Sequence, residues 1–182
     1  MHGWEGRPDN HWFPWLLWEL KSRGFDVHSI TLPNPDQPKL SEWLAAIKAV
    51  VGRPDKNTYF VGHSLGCIAT LRYFEKLPKS SQVGGAVFVA GFLGNINVPQ
   101  IEEFYLAPLD IEKAKSHCPK FVTIFSDDDE YVSMEKSLEF QKALGSKAII
   151  EKGKGHFSKS EGVMALPSVF SSLMDMSNEG KS

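Results

Sequence analysis

Long apolar runs are missing from this chain. The longest, Gly85 to Leu93, falls far short of the roughly 20 residues a membrane-spanning helix needs. An excess of positive charge is missing too. With 20 basic against 22 acidic side chains the formal net charge is −2, so nothing is in surplus to neutralise phosphates, and neither nucleic acid nor membrane is expected as a partner. Cysteine is scarce: Cys67 and Cys118 make neither a disulfide framework nor a zinc site, and a reduced, cytoplasmic setting is expected. No basic stretch leads into an apolar core at the start, so no signal peptide is expected. Repeats, low-complexity tracts and linkers are also lacking. A chain of 182 residues, 42% hydrophobic, is therefore read as a single domain over residues 1–176, with 177–182 as a disordered tail.

What the chain does have is an alternation of short apolar runs with helical patterns. Phe25 to Leu32 reads as a strand, stopped by Pro33, Pro35 and Pro38. Leu40 to Val51 places Leu44, Ile47, Val50 and Val51 at helical spacing, with Ser41 expected as N-cap. Further strands are expected at Thr58–Val61, Ala86–Ala90, Phe121–Phe125 and Ala148–Glu151, and helices at about Leu65–Leu77 and Met164–Met174. Asn10 to Arg23 reads as an aromatic-rich helix closed by Gly24. Nearly continuous apolar strands imply burial on both faces, as in a parallel sheet covered by helices.

Gly62-His63-Ser64-Leu65-Gly66 fits G-x-S-x-G, in which the serine sits on a sharp strand-to-helix turn with its hydroxyl clear of the sheet. A glycine-rich turn would satisfy the bare pattern, but here a strand precedes it and a helical pattern follows. The helix start leaves the Leu65 N–H free to bind an oxyanion. A serine needs a base, and the base needs an orienting acid. Asp127, Asp128 and Asp129 follow one strand and His156 follows the next, at the carboxyl ends where sites of open α/β sheets gather. At least two of the three aspartates are expected to be only a solvated turn or a helix N-terminus. His2, His11, His28, His63 and His117 lack the position; His63 cannot reach round to Ser64.

These segments resemble the YdeN/retinoblastoma-binding-protein-9 family of small serine hydrolases. The resemblance rests on Asn10–Leu16 (NHWFPWL), Leu32–Pro35 (LPNP), Gly62–Cys67 (GHSLGC), Ser126–Asp129 (SDDD) and Gly155–Phe157 (GHF). It implies an α/β-hydrolase fold, a mostly parallel sheet flanked by helices with a minimal cap. It also implies a triad of Ser64, Asp129 and His156, with Asp128 as the fallback acid. Trp4 would give the second oxyanion N–H by analogy. Relatives carry an apolar strand ending in His-Gly, whereas only Met1 precedes His2-Gly3 here, so the first strand is missing. A truncated chain or a misassigned start codon is expected.

The expected reaction is acyl transfer to water from a small ester, thioester or activated amide, through an acyl-enzyme and without metal or organic cofactor. Trp12, Phe92, Phe104 and Tyr105, with Trp4, are candidates for an aromatic acyl pocket, against the alternative that they are ordinary core. The stretch Gly91 to Lys120 has room for one helix and a loop. A monomer acting on a small-molecule acyl substrate is expected; the alternative is a protein-interaction module with an idle triad. Because the base must be neutral, hydrolysis should rise with pH through roughly 6 to 7.5. A flat rate profile over that range would exclude His156 as the base.

Overall fold

The computed structural model describes residues 1–179. Four parallel strands, β1 (Tyr59–His63), β2 (Gly85–Val89), β3 (Phe121–Ser126) and β4 (Lys147–Glu151), lie side by side in chain order. Helices α1 (Phe13–Lys21) and α6 (Pro167–Glu179) cover one face; α2 (Leu40–Val51), α3 (Leu65–Phe74), α4 (Ile111–His117) and α5 (Met134–Leu144) belong to the other side. The division follows the two-residue period of a strand. On β2, Ala86 and Phe88 join the cluster of Trp43, Ile47, Leu71 and Phe74, while Val87 and Val89 join that of Phe13, Leu16, Val169 and Leu173. The central strands β2 and β3 are buried throughout, as their apolar runs require. No helix among the described residues is long and apolar enough to cross a membrane.

Three expectations need correction. Residues 25–32 are not a strand. A strand exists only where its backbone has a ladder partner, and a cleft of about 390 Å³, lined by Phe25 to Ile30 and Asn57 to Val61, separates this segment from β1. On its outer side β1 instead bonds to Met1, whose carbonyl accepts from the His63 N–H at 3.0 Å. Ser41 does not cap α2; the cap position lies two residues earlier, at extended Lys39, with no side-chain cap bond. Residues 177–179 are not a tail but the last turn of α6, where the Ser177 hydroxyl bonds the Met174 carbonyl and Met176 is buried. Residues 180–182 lie outside the described residues.

Helix α5 falls where the sequence reading placed nothing. Ser133 caps it by accepting from the Lys136 N–H, and Gly145 closes it in the left-handed conformation. The connection from β2 to α4 carries one 3₁₀ turn, Pro99–Phe104, and no large lid. It is fastened to α3 by a buried ion pair of Arg72 and Glu75. Arg72 donates to the carbonyls of Phe104, Ala107 and Pro108, and Glu75 accepts from the Asp110 N–H. Such a pair is tolerated in the interior because its remaining donors and acceptors are satisfied.

Phe88 is fully buried with its ring 5.8 Å from those of both Phe121 and Phe140. Phe88→Ala should cost about 3–5 kcal/mol in urea unfolding; a loss below about 1 kcal/mol would mean that the layer collapses freely onto the void.

Candidate active site

Strand β1 ends at His63 and helix α3 begins at Leu65, so Ser64 alone makes the turn, with φ 53° and ψ −122°. This conformation costs a non-glycine residue about 1–3 kcal/mol and persists only where its surroundings enforce it. They do so here through backbone bonds: the Ser64 N–H donates to Val89 O at 2.8 Å, and the Ser64 carbonyl accepts from the Cys67 N–H at 2.9 Å. Glycine lets the chain close in. A Cβ on Gly66 would stand 2.5 and 2.6 Å from the carbonyl oxygens of Met1 and His2, and one on Gly3 would stand 2.9 Å from the Ser64 Cβ. The arm from Met1 to Gly6 therefore lies directly against the serine, with the Trp4 peptide next along.

That arm is tied to the loop after residue 31. Leu32 N–H donates to His2 Nε2 at 3.1 Å, and His2 Nδ1–H donates to the Gly3 carbonyl at 2.8 Å. Glu5 N–H and the Trp4 indole reach the carbonyls of Pro35 and Asp36. Burial pushes the His2 imidazole down to about 4.

His156 Nδ1 lies 2.8 Å from Asp129 Oδ2, and the Asp129 side chain is 1% exposed. A carboxylate only accepts, so Nδ1 carries a proton, and in the neutral ring Nε2 is the atom with the lone pair. Asp129 Oδ1 takes the N–H groups of Tyr131 and Val132, which fixes the carboxylate. Its two neighbours are not merely solvated. Asp127 Oδ1 accepts from Gly153 N–H and Asp128 Oδ1 from Gly155 N–H, while Ser126 Oγ accepts from Lys154 N–H. The Ser126 hydroxyl and then the Gly155 N–H hold the Asp128 carboxyl below the usual range. Ser126, Asp127 and Asp128 thus bind the loop that carries His156, one amide after another.

The far side of that loop is gripped by Glu161, which sequence reasoning missed. Its two oxygens accept from the N–H groups of His156 and Ser158, both at 2.8 Å. Partial burial pushes its carboxyl up, but these donors bring it below the usual range. The Ser158-x-x-Glu161 capping box was the available sign. Also missed was Tyr131, 57% exposed, its ring centroid 5.0 Å from that of His156.

The aromatic pocket is corrected. Trp12, Phe92 and Phe104 are fully buried core. Trp12 packs with Phe13 beneath the sheet, and Phe104 packs edge-on against Trp43. Trp4 and Tyr105 remain half-buried, the latter at the edge of a cleft of about 230 Å³ that it shares with Ile68, Arg72 and Leu109.

Two of the imidazoles here set an acid limit on stability. His2 is held near 4, and burial keeps His63 well below its ordinary value, so the unfolded chain takes up protons that the folded chain refuses. The stability these two rings contribute is therefore fully present only well above about pH 6.5 and falls toward pH 4, by about 3 kcal/mol from His2 alone. Urea midpoints measured between pH 7 and 4 should show this fall, reduced in His2→Gln; pH-independent midpoints would contradict it.

Known proteins resemble this chain in sequence and in fold. The family profile described as serine hydrolase matches residues 1–175. YdeN of Bacillus subtilis strain 168, described as a hydrolase, is 34% identical over 174 residues, which are 95% of this chain and 92% of that protein. The serine hydrolase RBBP9 of Rattus norvegicus is 28% identical over 154 residues, 82% and 80% of the two chains. The crystal structure of the B. subtilis ydeN gene product superposes with a TM-score of 0.92 at 32% identity, covering 96% of this chain and 95% of that one. The chain belongs to the serine hydrolase family, and its helix-covered parallel sheet is an α/β-hydrolase fold.

Proposed function

We propose that the chain cleaves small ester, thioester or activated amide substrates through Ser64, His156 and Asp129, by way of an acyl-enzyme. The observation that carries this is the 2.8 Å contact of His156 Nδ1 with a fixed, buried Asp129 carboxylate, on a loop pinned beside the serine turn. His156 Nε2 takes the Ser64 proton as Oγ attacks the carbonyl carbon, and Asp129 stabilises the imidazolium that forms. The oxyanion meets the Leu65 N–H, one of the helix N–H groups with no intrahelical acceptor, and the Trp4 N–H on the arm against Ser64. His156 then returns its proton to the leaving group, and water repeats the cycle on the acyl-enzyme.

Substrate size follows from the corrected aromatics. With Trp12, Phe92 and Phe104 committed to the core, no deep aromatic slot remains among them for a long acyl chain. Small acyl groups fit such a site, and one domain acting as a monomer suffices for it. Both cysteines are buried, unpaired thiols, in keeping with a reducing cytoplasmic setting.

A fluorophosphonate should label Ser64, with loss of the adduct in Ser64→Ala by intact mass and peptide mapping. Asp129→Asn should lower kcat about 10³- to 10⁴-fold by allowing the wrong tautomer, whereas Asp128→Asn should stay within about tenfold, since its bonds are to the Ser126 hydroxyl and the Gly155 N–H and not to the imidazole. Equal losses in the two variants would remove the assignment of Asp129, and label on any other residue would remove that of Ser64.

A further inference from the structure

The proposed nucleophile and base hang from opposite edges of the sheet. Ser64 follows β1 at one edge and His156 follows β4 at the other. Three inter-strand spacings, about 14 Å, separate those edges, so small shifts in any strand would accumulate in the gap between base and serine. The bonds that shape the His156 loop do not close this gap. Those from Ser126, Asp127 and Asp128 come from the end of β3, and those from Glu161 come from the loop's own continuation.

Among the described residues, one hydrogen bond joins the end of β1 to this loop. His63, the last residue of β1 and the covalent neighbour of Ser64, has its Nε2 2.8 Å from the carbonyl oxygen of His156. A carbonyl only accepts, so Nε2 carries the proton. The ring is held firmly: it is 4% exposed and lies against the rings of Trp12, Phe13 and His11 at 6.1, 6.2 and 5.6 Å, with the His156 ring itself at 5.0 Å. Burial, and then the nearby His156, keep it neutral well below the ordinary range.

We infer that His63 is a positioning residue of the reaction, whose Nε2–H holds the His156 backbone and so sets the distance from the base to Ser64. The inference rests on the triad reading above. Here the second residue of the G-x-S-x-G turn links the two ends of the sheet directly, one peptide away from the reacting oxygen. Its loss should act on the chemical step and not on substrate binding, because the serine, its oxyanion donors and the approach to them stay in place.

Three variants test this on a short-chain nitrophenyl ester, with folding checked by thermal unfolding. His63→Phe keeps the ring and removes the donor; kcat should fall about 10- to 100-fold, the scale of a small misplacement of the base, with KM within about twofold. His63→Gln restores an N–H donor and should recover most of the loss. A folded His63→Phe at full kcat, or a His63→Gln as slow as His63→Phe, overturns the inference. His156→Ala keeps the two readings apart: if it is inactive while His63→Phe is fully active, only the inference falls, and if it retains turnover, the triad reading falls and takes the inference with it. Should His63→Phe not fold, nitrogen NMR of the unaltered protein decides. A His63 ring in the Nε2–H tautomer that does not titrate between about pH 5 and 8 supports the inference, and the Nδ1–H tautomer or a titrating ring overturns it.

Discussion

A serine hydroxyl stands clear of a sheet only if the backbone leaves the sheet abruptly, and at Ser64 it does so in a conformation that side chains rarely adopt. The cost is offset by neighbours on every side: β2 through Val89, α3 through Cys67 and the amino-terminal arm through Gly3. The turn therefore fixes where three separate segments must run. Helix α3 has to begin beneath the serine, which is why its whole length is buried and why the ion pair of Arg72 and Glu75 on it can hold down the connection above. The arm has to press its carbonyls against Gly66, where no side chain could stand.

The second half of the site is organised by charge. Ser126, Asp127, Asp128 and Glu161 offer oxygen acceptors to the backbone of one short loop, so much of the irregular path from β4 to α6 is set by side chains. Gly155, at φ 51°, occupies a place where a Cβ would run into the Glu161 carboxylate. Acidic residues that look redundant in a row of three have separate tasks, one amide each and one imidazole.

The strand–helix order, the serine turn and the placing of Asp129 and His156 after successive strands were legible in the sequence, because each depends on local pattern and chain order. The helices at Phe13 and Leu40 and the strands ending at His63 and Ser126 lie close to where periodicity puts them. Residues 25–32 were misread because apolar alternation reports a preference for extended backbone, not the presence of a partner across a cleft. Trp12, Phe92 and Phe104 were misread because an aromatic residue serves a core and a pocket equally well, and only burial separates the two. His63 was seen only as unable to act as the base. Its bond joins residues 93 apart in sequence, and no local signal announces such a contact.

The loop bearing His156 has a further property. Every backbone amide from Gly153 through Lys159 is engaged, to Asp127, Ser126, Asp128, Glu161, the Lys154 carbonyl, Glu161 again and His11 in turn. Loops at a surface ordinarily exchange their amide hydrogens with solvent within the time of local fraying. Here each amide has an acceptor within the protein, four of them on the carboxylates of Asp127, Asp128 and Glu161. Its amides should therefore exchange more slowly than those of a surface loop without such acceptors, and His156 is carried on a segment whose backbone is held at every amide from Gly153 to Lys159.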